Sequence, residues 1–339
     1  MSCSERPAGA ARPPLRTTLK RAALLVAMTI LFAFAGGEAA LRLTTSDQRN
    51  YPIEMWRYAR ELKVPADPAE LGHVHRPDAA ALLQGVEISI NSLGMRGPEP
   101  RLAADGVRRV LLLGNSVTFG WGVPEDQTMR AQLAARLGPT FDVLNAGIGN
   151  INLVRYIALF DRMQRRLKPC IVVVNAHPRD AIDLPPSRGS WLIRHSEFAV
   201  VTENLIETWR LGGSMDALVD HYRTLWAPGG ANLAAMRAAL NRLQRIQQED
   251  GFEVVLAVVP DIHRLPDYPL AFVDDWFRDE AAKRGWRFLD YRDALAGHSG
   301  PDLWAMPTDP HPNGVGHTLM AAQLADVIAK FPRAPAQPQ

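Results

Sequence analysis

From Arg108 onward the chain alternates short apolar runs with amphipathic stretches, and this alternation restricts the possible folds more than any other feature. The runs at 110–113, 141–144, 171–174, 254–259 and 287–289 are unalternating and rich in branched residues, as strands covered on both faces are. Between and after them, stretches at 129–137, 154–167, 233–248, 272–283 and 315–330 each carry one apolar face, as packed helices do. The order predicts an α/β fold with a doubly wound, parallel, five-stranded sheet. Such a sheet binds its ligands beyond the carboxyl ends of its strands.

Three loops fall beyond or beside such ends. Val110-Leu-Leu-Leu-Gly-Asn-Ser-Val-Thr-Phe-Gly120 is a strand that delivers Ser116 into a tight turn. Asn145-Ala-Gly-Ile-Gly-Asn-Ile-Asn152 is a Gly/Asn loop able to present backbone N–H groups, and Thr308-Asp-Pro-His-Pro-Asn-Gly314 sets a late histidine beside an acid. A hydroxyl is a poor nucleophile at neutral pH, so an imidazole must take its proton and donors must hold the oxyanion that forms. Ser116, His311 and Asp309 are the candidates for nucleophile, base and orienting acid. Ser116 could instead cap a helix, and His311 could be a loop residue held between Pro310 and Pro312, but their joint occurrence points to chemistry. Asn145 and Asn152 are expected to shape loops, and His317, inside the last helix, to be structural. His73 and His75 would share one side of a strand without acid or thiol partners grouped with them, so no metal site is expected there. No metal or organic cofactor is implied.

The N-terminus bears on compartment. Residues 1–21 carry Arg6, Arg12, Arg16, Lys20 and Arg21 against the single acid Glu5, and an uncharged run at 22–37 follows. Basic residues before an apolar helix stay in the cytoplasm, which puts the rest of the chain outside. A spanning helix needs ~20 apolar residues, and Leu19 with Ala39-Ala-Leu41 supplies the missing length while Lys20 and Arg42 reach for the headgroups. The segment 22–43 is thus an anchor or a signal: Ala33-Phe-Ala35 has the form of a cleavage site, whereas the helical continuation Glu38-Ala-Ala-Leu-Arg-Leu43 favours an uncleaved anchor. Cys3 and Cys170 lie far apart on expected opposite sides of the membrane, so no disulfide framework is expected, and neither is a good nucleophile candidate. With 47% of 339 residues hydrophobic there is material for one large domain and an appendage, and a formal charge of +2 gives no reason to invoke nucleic acid.

The motifs resemble those of the SGNH/GDSL hydrolases, specifically the bacterial membrane-anchored type, over roughly residues 38–330, including the lead-in Ile90-Asn-Ser-Leu-Gly-Met-Arg96. The resemblance implies the flavodoxin-like SGNH hydrolase fold and hydrolysis of an acylated polysaccharide or lipid. In that family the serine sits in a Gly-Asp-Ser turn; here the turn is Gly114-Asn115-Ser116, and the residue before the serine is not the nucleophile. The second family block gives a backbone N–H to the oxyanion hole, which either Gly149 or Asn150 could provide beside the N–H of Ser116. The third block places an asparagine amide in the hole, and Arg179 stands at that position, able to hold an oxyanion, bind an anionic substrate group, or pair structurally with Asp180. The fourth block sets the acid three residues before the histidine, where Thr308 stands, with Asp309 two before. The divisions expected are a basic tail at 1–21, the anchor or signal at 22–43, a lead-in at 44–106, the hydrolase domain at 107–331 with an insertion at 183–230, and a disordered tail at 332–339.

The lead-in should pack on the main domain through Trp56 and Tyr58. The insertion holds Trp191, His195, Phe198, Trp209, Tyr222 and Trp226 among Arg188, Arg194, Arg210 and Arg223, a composition suited to a helical subdomain with its own small core or to a sugar- or lipid-facing cap. The chain reads as a serine esterase held at the bacterial inner membrane, its catalytic part periplasmic or otherwise extracytoplasmic and acting on O-acyl, foremost O-acetyl, esters. Two alternatives remain open: acyl transfer to another sugar through the same serine, and a non-catalytic protein that binds acylated glycan or an envelope partner.

Overall fold

The computed structural model describes residues 15–68, 71–101, 107–184, 190–210, 214–307 and 309–332. Cys3, Glu5, Arg6, Arg12, Arg188, Thr308 and the tail at 333–339 lie outside the described residues. The five expected strands form one parallel sheet, β1 Arg108–Gly114, β2 Phe141–Asn145, β3 Ile171–Ala176, β4 Glu253–Val258 and β5 Arg287–Asp290, in the order β2-β1-β3-β4-β5. This is the flavodoxin-like order, whose direction of winding reverses beside β1, and a crevice opens at that reversal. Leu112 pairs with Asn145 and Gly114 with Asn175, so β1, β2 and β3 end at nearly the same level and their following loops share one edge.

Alternation along each strand builds two cores. Leu111, Leu113, Val172, Val174 and Leu256 face helices Leu153–Leu159, Ala231–Asp250 and Ala271–Arg284, while Val110, Leu112, Val173, Val255 and Ala257 face helices Met129–Leu137 and Gly314–Ile328. The stretch at 154–167 departs from the single helix expected. After Leu159 it widens into a π-helical turn, Phe160–Gln164, which buries Phe160 against Phe252 and turns Asp161 toward Arg242 at 2.6 Å.

The lead-in is not a loose appendage. Helix Tyr51–Glu61 and two ribbons, Lys63–Pro65 with His73–His75 and Ala80–Leu83 with Val86–Ser89, build a third core in which Tyr58, Leu62, Leu83, Ile88 and Ile90 close over Phe119 and Trp121. Those two aromatics belong to the turn after β1, and burying a side chain such as Phe119 contributes about 1.5–3 kcal/mol. Arg96, itself buried, donates to the carbonyls of Phe119, Gly120 and Val123 at 3.3, 2.5 and 2.6 Å, and so satisfies the end of the short helix Ser116–Phe119. Among the described residues the insertion forms no separate core. Its Val219, Tyr222 and Trp226 join the main core, with Trp226 edge-on to Phe277 at 5.3 Å.

A glycine fixes how closely two loops meet. A Cβ on Gly147 would stand 2.3 Å from the backbone nitrogen of Phe119 and 2.7 Å from the carbonyl carbon of Thr118, so backbone rather than a movable side chain blocks it. Gly147→Ala is expected to destabilise the fold by about 1–3 kcal/mol, as overpacking does, and to displace the Ser116 helix. Denaturant unfolding tests this, and an unchanged midpoint would contradict the packing described.

Candidate active site

Gly114 lets β1 pass close to β3, since a Cβ there would meet Thr118 Oγ1 at 2.2 Å and the Asn175 carbonyl at 2.9 Å. Asn115 then caps the short helix, its Oδ1 accepting from the Val117 N–H at 3.0 Å, and Ser116 opens it. An amide oxygen caps as a carboxylate would. At the first helical position the Ser116 N–H has no partner within the helix and remains available.

His311 comes from the ribbon Asp309–Pro312, which pairs with Trp304–Met306. Its Nε2 lies 2.7 Å from Ser116 Oγ and its Nδ1 lies 2.6 Å from Asp309 Oδ1. Nδ1–H donating to the carboxylate leaves Nε2 free to accept the serine proton. The two-residue separation works because alternate residues of an extended strand share a side, and the same Oδ1 also accepts the backbone N–H of His311 at 3.1 Å. Asp309 has no exposed surface, and its Oδ2 accepts from Gln84 Nε2 at 2.7 Å and Trp121 Nε1 at 2.9 Å. Burial alone would raise this carboxyl, yet the bond and charge of His311 and the bond from Gln84 outweigh it and hold it below the usual carboxylate range. The Tyr51 ring stands 5.6 Å from that of His311, and burial pushes its phenol up to about 12.

The loop after β2 is held from both sides. Asn145 accepts from Gly147 N–H at 3.0 Å and donates to the Phe119 carbonyl at 3.2 Å, and Asn152 caps the next helix, the loop-shaping roles expected of both. The two candidate backbone donors separate. Gly149 N–H already donates to the Tyr58 hydroxyl at 2.8 Å, which corrects its expected place in the hole, while Asn150 lines the cavity in the left-handed conformation at φ 55°. The Gly149 carbonyl accepts from Lys63 Nζ at 2.7 Å and lies 3.0 Å from His73 Nε2. The Tyr58 hydroxyl in turn donates to His75 Nε2 at 2.6 Å, and His75 Nδ1 donates to the Gly94 carbonyl at 3.1 Å. Burial pushes both imidazoles down to about 3, so they stay neutral. His317 is likewise buried and held near 3 by desolvation.

After β3, His177 caps a short turn and Asp180 accepts from the His177 N–H and the Tyr156 hydroxyl, both at 2.9 Å. Burial pushes Asp180 up to about 7. Among the described residues no salt bridge joins Arg179 to Asp180; Arg179 is exposed and turns to the cavity, where Tyr222 bonds to it. That cavity, about 340 Å³, brings together Ser116, Asn150, Arg179 and His311.

Sequence reasoning missed several of its neighbours. Asp261 and His263 form a second carboxylate–imidazole pair on the cavity wall, and the Asp261 carboxylate also accepts the His263 N–H at 3.1 Å, the same hook that joins Asp309 to His311. The bond to Asp261 raises the His263 imidazole above its ordinary value. Their position just past β4 was a usable signal. Gln84, Trp121 and Tyr51 carried none, because their partners lie far away in sequence, and for Tyr58 only packing on the main domain was expected, not its bond to Gly149.

Tyr58→Phe removes the acceptor for Gly149 N–H inside the fold, a loss expected to cost about 1–3 kcal/mol. It should also lower esterase turnover, since the loop that carries Asn150 loses its tether. Thermal unfolding and turnover are the measurements, and a variant unchanged in both would show the bond to be idle.

The model of the GDSL-like Lipase/Acylhydrolase family matches residues 112–319. Among solved structures the chain is similar to a member of the lipolytic protein G-D-S-L family from Veillonella parvula, at 13% identity and TM-score 0.42, covering 66% of this chain and 100% of that one. It is also similar to a variant of an acetyl-xylooligosaccharide esterase from Geobacillus, at 15% and 0.45 with 70% and 100% covered. A third likeness is to a carbohydrate acetylesterase from Sinorhizobium meliloti, at 13% and 0.39 with 66% and 98% covered. No curated protein sequence matches the chain. The family match runs from the strand that delivers Ser116 into the helix that follows His311, more than half of the chain. The chain therefore belongs to the GDSL-like lipase/acylhydrolase family and is an SGNH-type serine hydrolase acting on ester bonds.

Proposed function

We propose that this hydrolase is a membrane-anchored, exported esterase that removes acyl groups, O-acetyl foremost, from a polysaccharide or lipid of the cell envelope. The observation that carries the reading is the continuous relay Ser116–His311–Asp309, at 2.7 and 2.6 Å, opening into a cavity that also holds Asn150 and Arg179. His311 Nε2 takes the hydroxyl proton as Ser116 Oγ attacks the acyl carbon. The oxyanion is received by the N–H groups of Ser116 and Asn150, with the Arg179 guanidinium as a further donor. Collapse expels the alcohol, which leaves with the proton from His311. Water, deprotonated in turn by His311, attacks the acyl-enzyme, and the acid departs as Ser116 recovers its proton.

Export and anchoring rest on the N-terminus. One helix among the described residues is long and apolar enough to cross a membrane, and its segment Leu19–Thr44 has a mean hydropathy of 2.0. The basic residues before it would stay in the cytoplasm. Contacts of Phe34 and Glu38 with the insertion support retention of the helix over cleavage near Ala35.

A fluorophosphonate probe should label the protein at Ser116, and Ser116→Ala should abolish labelling and lower turnover of a small acyl ester by at least ~10³-fold without unfolding. Asp309→Asn should keep the fold but lose most turnover, as an imidazole without its partner takes the wrong tautomer. A wild-type chain that stays unlabelled while binding acylated polysaccharide would make it a binding protein instead.

Acyl transfer has one observation in its favour, the Asp261–His263 pair lining the same cavity. On that reading His263 receives the acceptor hydroxyl in place of water, and His263→Gln lowers the ratio of transfer to hydrolysis by ~10²-fold. Product analysis with a glycan acceptor gives that ratio. No change in it would leave hydrolysis alone.

A further inference from the structure

Helix Glu197–Arg210 begins on the anchor helix Leu15–Thr44. The Glu38 carboxylate accepts from Ser196 Oγ at 2.7 Å and from the N–H groups of Glu197 and Phe198 at 3.2 and 3.0 Å, filling the donors that a helix start leaves open. Phe198 then meets Phe34 edge-to-face, centroids 5.3 Å apart, above Gly37, where a Cβ would stand 2.9 Å from its ring. Arg57 and Thr45 hold the Glu197 carboxylate at 3.1 and 2.8 Å. The start of this helix is therefore fixed relative to the anchor by several directed bonds.

Farther along the helix, its apolar face stands open among the described residues. At 3.6 residues per turn, Phe198, Leu205 and Trp209 share that face with Ile206 on its flank, while Glu203 and Glu207 lie on the other side. Leu205 is 63% exposed and Trp209 82%, and on the preceding turn Trp191 is 66% exposed. A row of large apolar side chains that begins against an apolar helix and runs on into the open marks an interaction surface.

Its level along the anchor identifies the occupant. The uncharged stretch from Ala22 to Gly37 spans ~24 Å at ~1.5 Å per residue, close to the ~30 Å of a bilayer's hydrocarbon. Glu38 thus marks the boundary, the level at which tryptophan is enriched and arginine extends to headgroups. Trp191, Trp209, Arg194 and Arg210 all belong to the segment capped there. Resting on the anchor reading given above, we infer that the face formed by Phe198, Leu205, Ile206 and Trp209, with Trp191, lies in the outer interface of the phospholipid bilayer that holds the anchor. The catalytic domain is then held at two places, one spanning and one interfacial. Trp56, on helix Tyr51–Glu61, donates to the Ile193 carbonyl at 2.8 Å, and the same helix places Tyr51 and Met55 on the cavity wall, so the interfacial contact fixes which way the cavity faces.

The test uses the full chain in phosphatidylcholine and phosphatidylglycerol vesicles, with Cys3→Ser and Cys170→Ser and single cysteines at 31, 203, 205 or 209 carrying a bimane dye. Ester hydrolysis confirms that each labelled protein is folded. Lipids with a doxyl quencher near the headgroup are expected to quench the probes at 205 and 209, and quenchers deep in the chains the probe at 31, while the probe at 203 stays bright and open to iodide. A quenched probe at 31 with bright probes at 205 and 209 overturns the interfacial contact and leaves the anchor standing. A probe at 31 that no lipid quenches removes the anchor reading and the inference with it. Probes at 205 and 209 shielded from both iodide and lipid quencher would show a protein covering the face, and would also overturn it.

Discussion

A carboxylate cut off from water is tolerable only when donors occupy its lone pairs, and Asp309 meets that condition with one neighbouring donor residue and two remote ones. His311 supplies its ring and its backbone N–H, Gln84 reaches in from the lead-in ribbon, and Trp121 from the turn after β1. None of the three can shift without leaving charge uncompensated. The relay to Ser116 therefore depends on the docking of residues that never touch substrate. It also explains why a carboxyl so deeply buried stays ionised: charge-assisted bonds are the strong ones, and here they converge on one group.

The same lead-in fixes the opposite wall. Tyr58 and Lys63 take the N–H and carbonyl of Gly149, and His73 and His75 back them as neutral rings. A net gain of about 1 kcal/mol for each neutral bond is modest, but the effect on geometry is large. Asn150 is the next residue, and its backbone direction follows from a glycine whose N–H and carbonyl are both held. The lead-in is thus a clamp on two of the loops at the sheet edge, joined to them by a small aromatic core.

The sheet was legible because strands covered on both faces leave unbroken apolar runs, and all five runs became strands. Ser116 and His311 were legible because a strand-ending turn and an Asp-x-His hook are local patterns. Asp309 needed geometry, and the extended ribbon supplies it. Gly149 and Asn150 could not be told apart, since the distinction lies in a tyrosine at position 58. Of the two readings of the insertion, the separate small core does not hold for Tyr222 and Trp226, because the apolar surface they bury belongs to the sheet domain. Residue type and spacing report local form, and which surface a side chain meets is settled by the fold.

Asn115 carries a consequence for the transition state. It holds the serine turn with an amide oxygen and lines the cavity beside Ser116. A carboxylate in that place would set a fixed negative charge beside Ser116, near the oxygen on which the proposed mechanism accumulates negative charge, and like charges repel. The amide gives the same support to the helix start and contributes only a dipole. The two acids of the serine and cavity loops, Asp309 and Asp261, each stand behind an imidazole. On the proposed mechanism the turn that carries Ser116 is therefore electrically neutral, and the field felt by the developing anion is set by backbone N–H groups and by Arg179, which lines the same cavity.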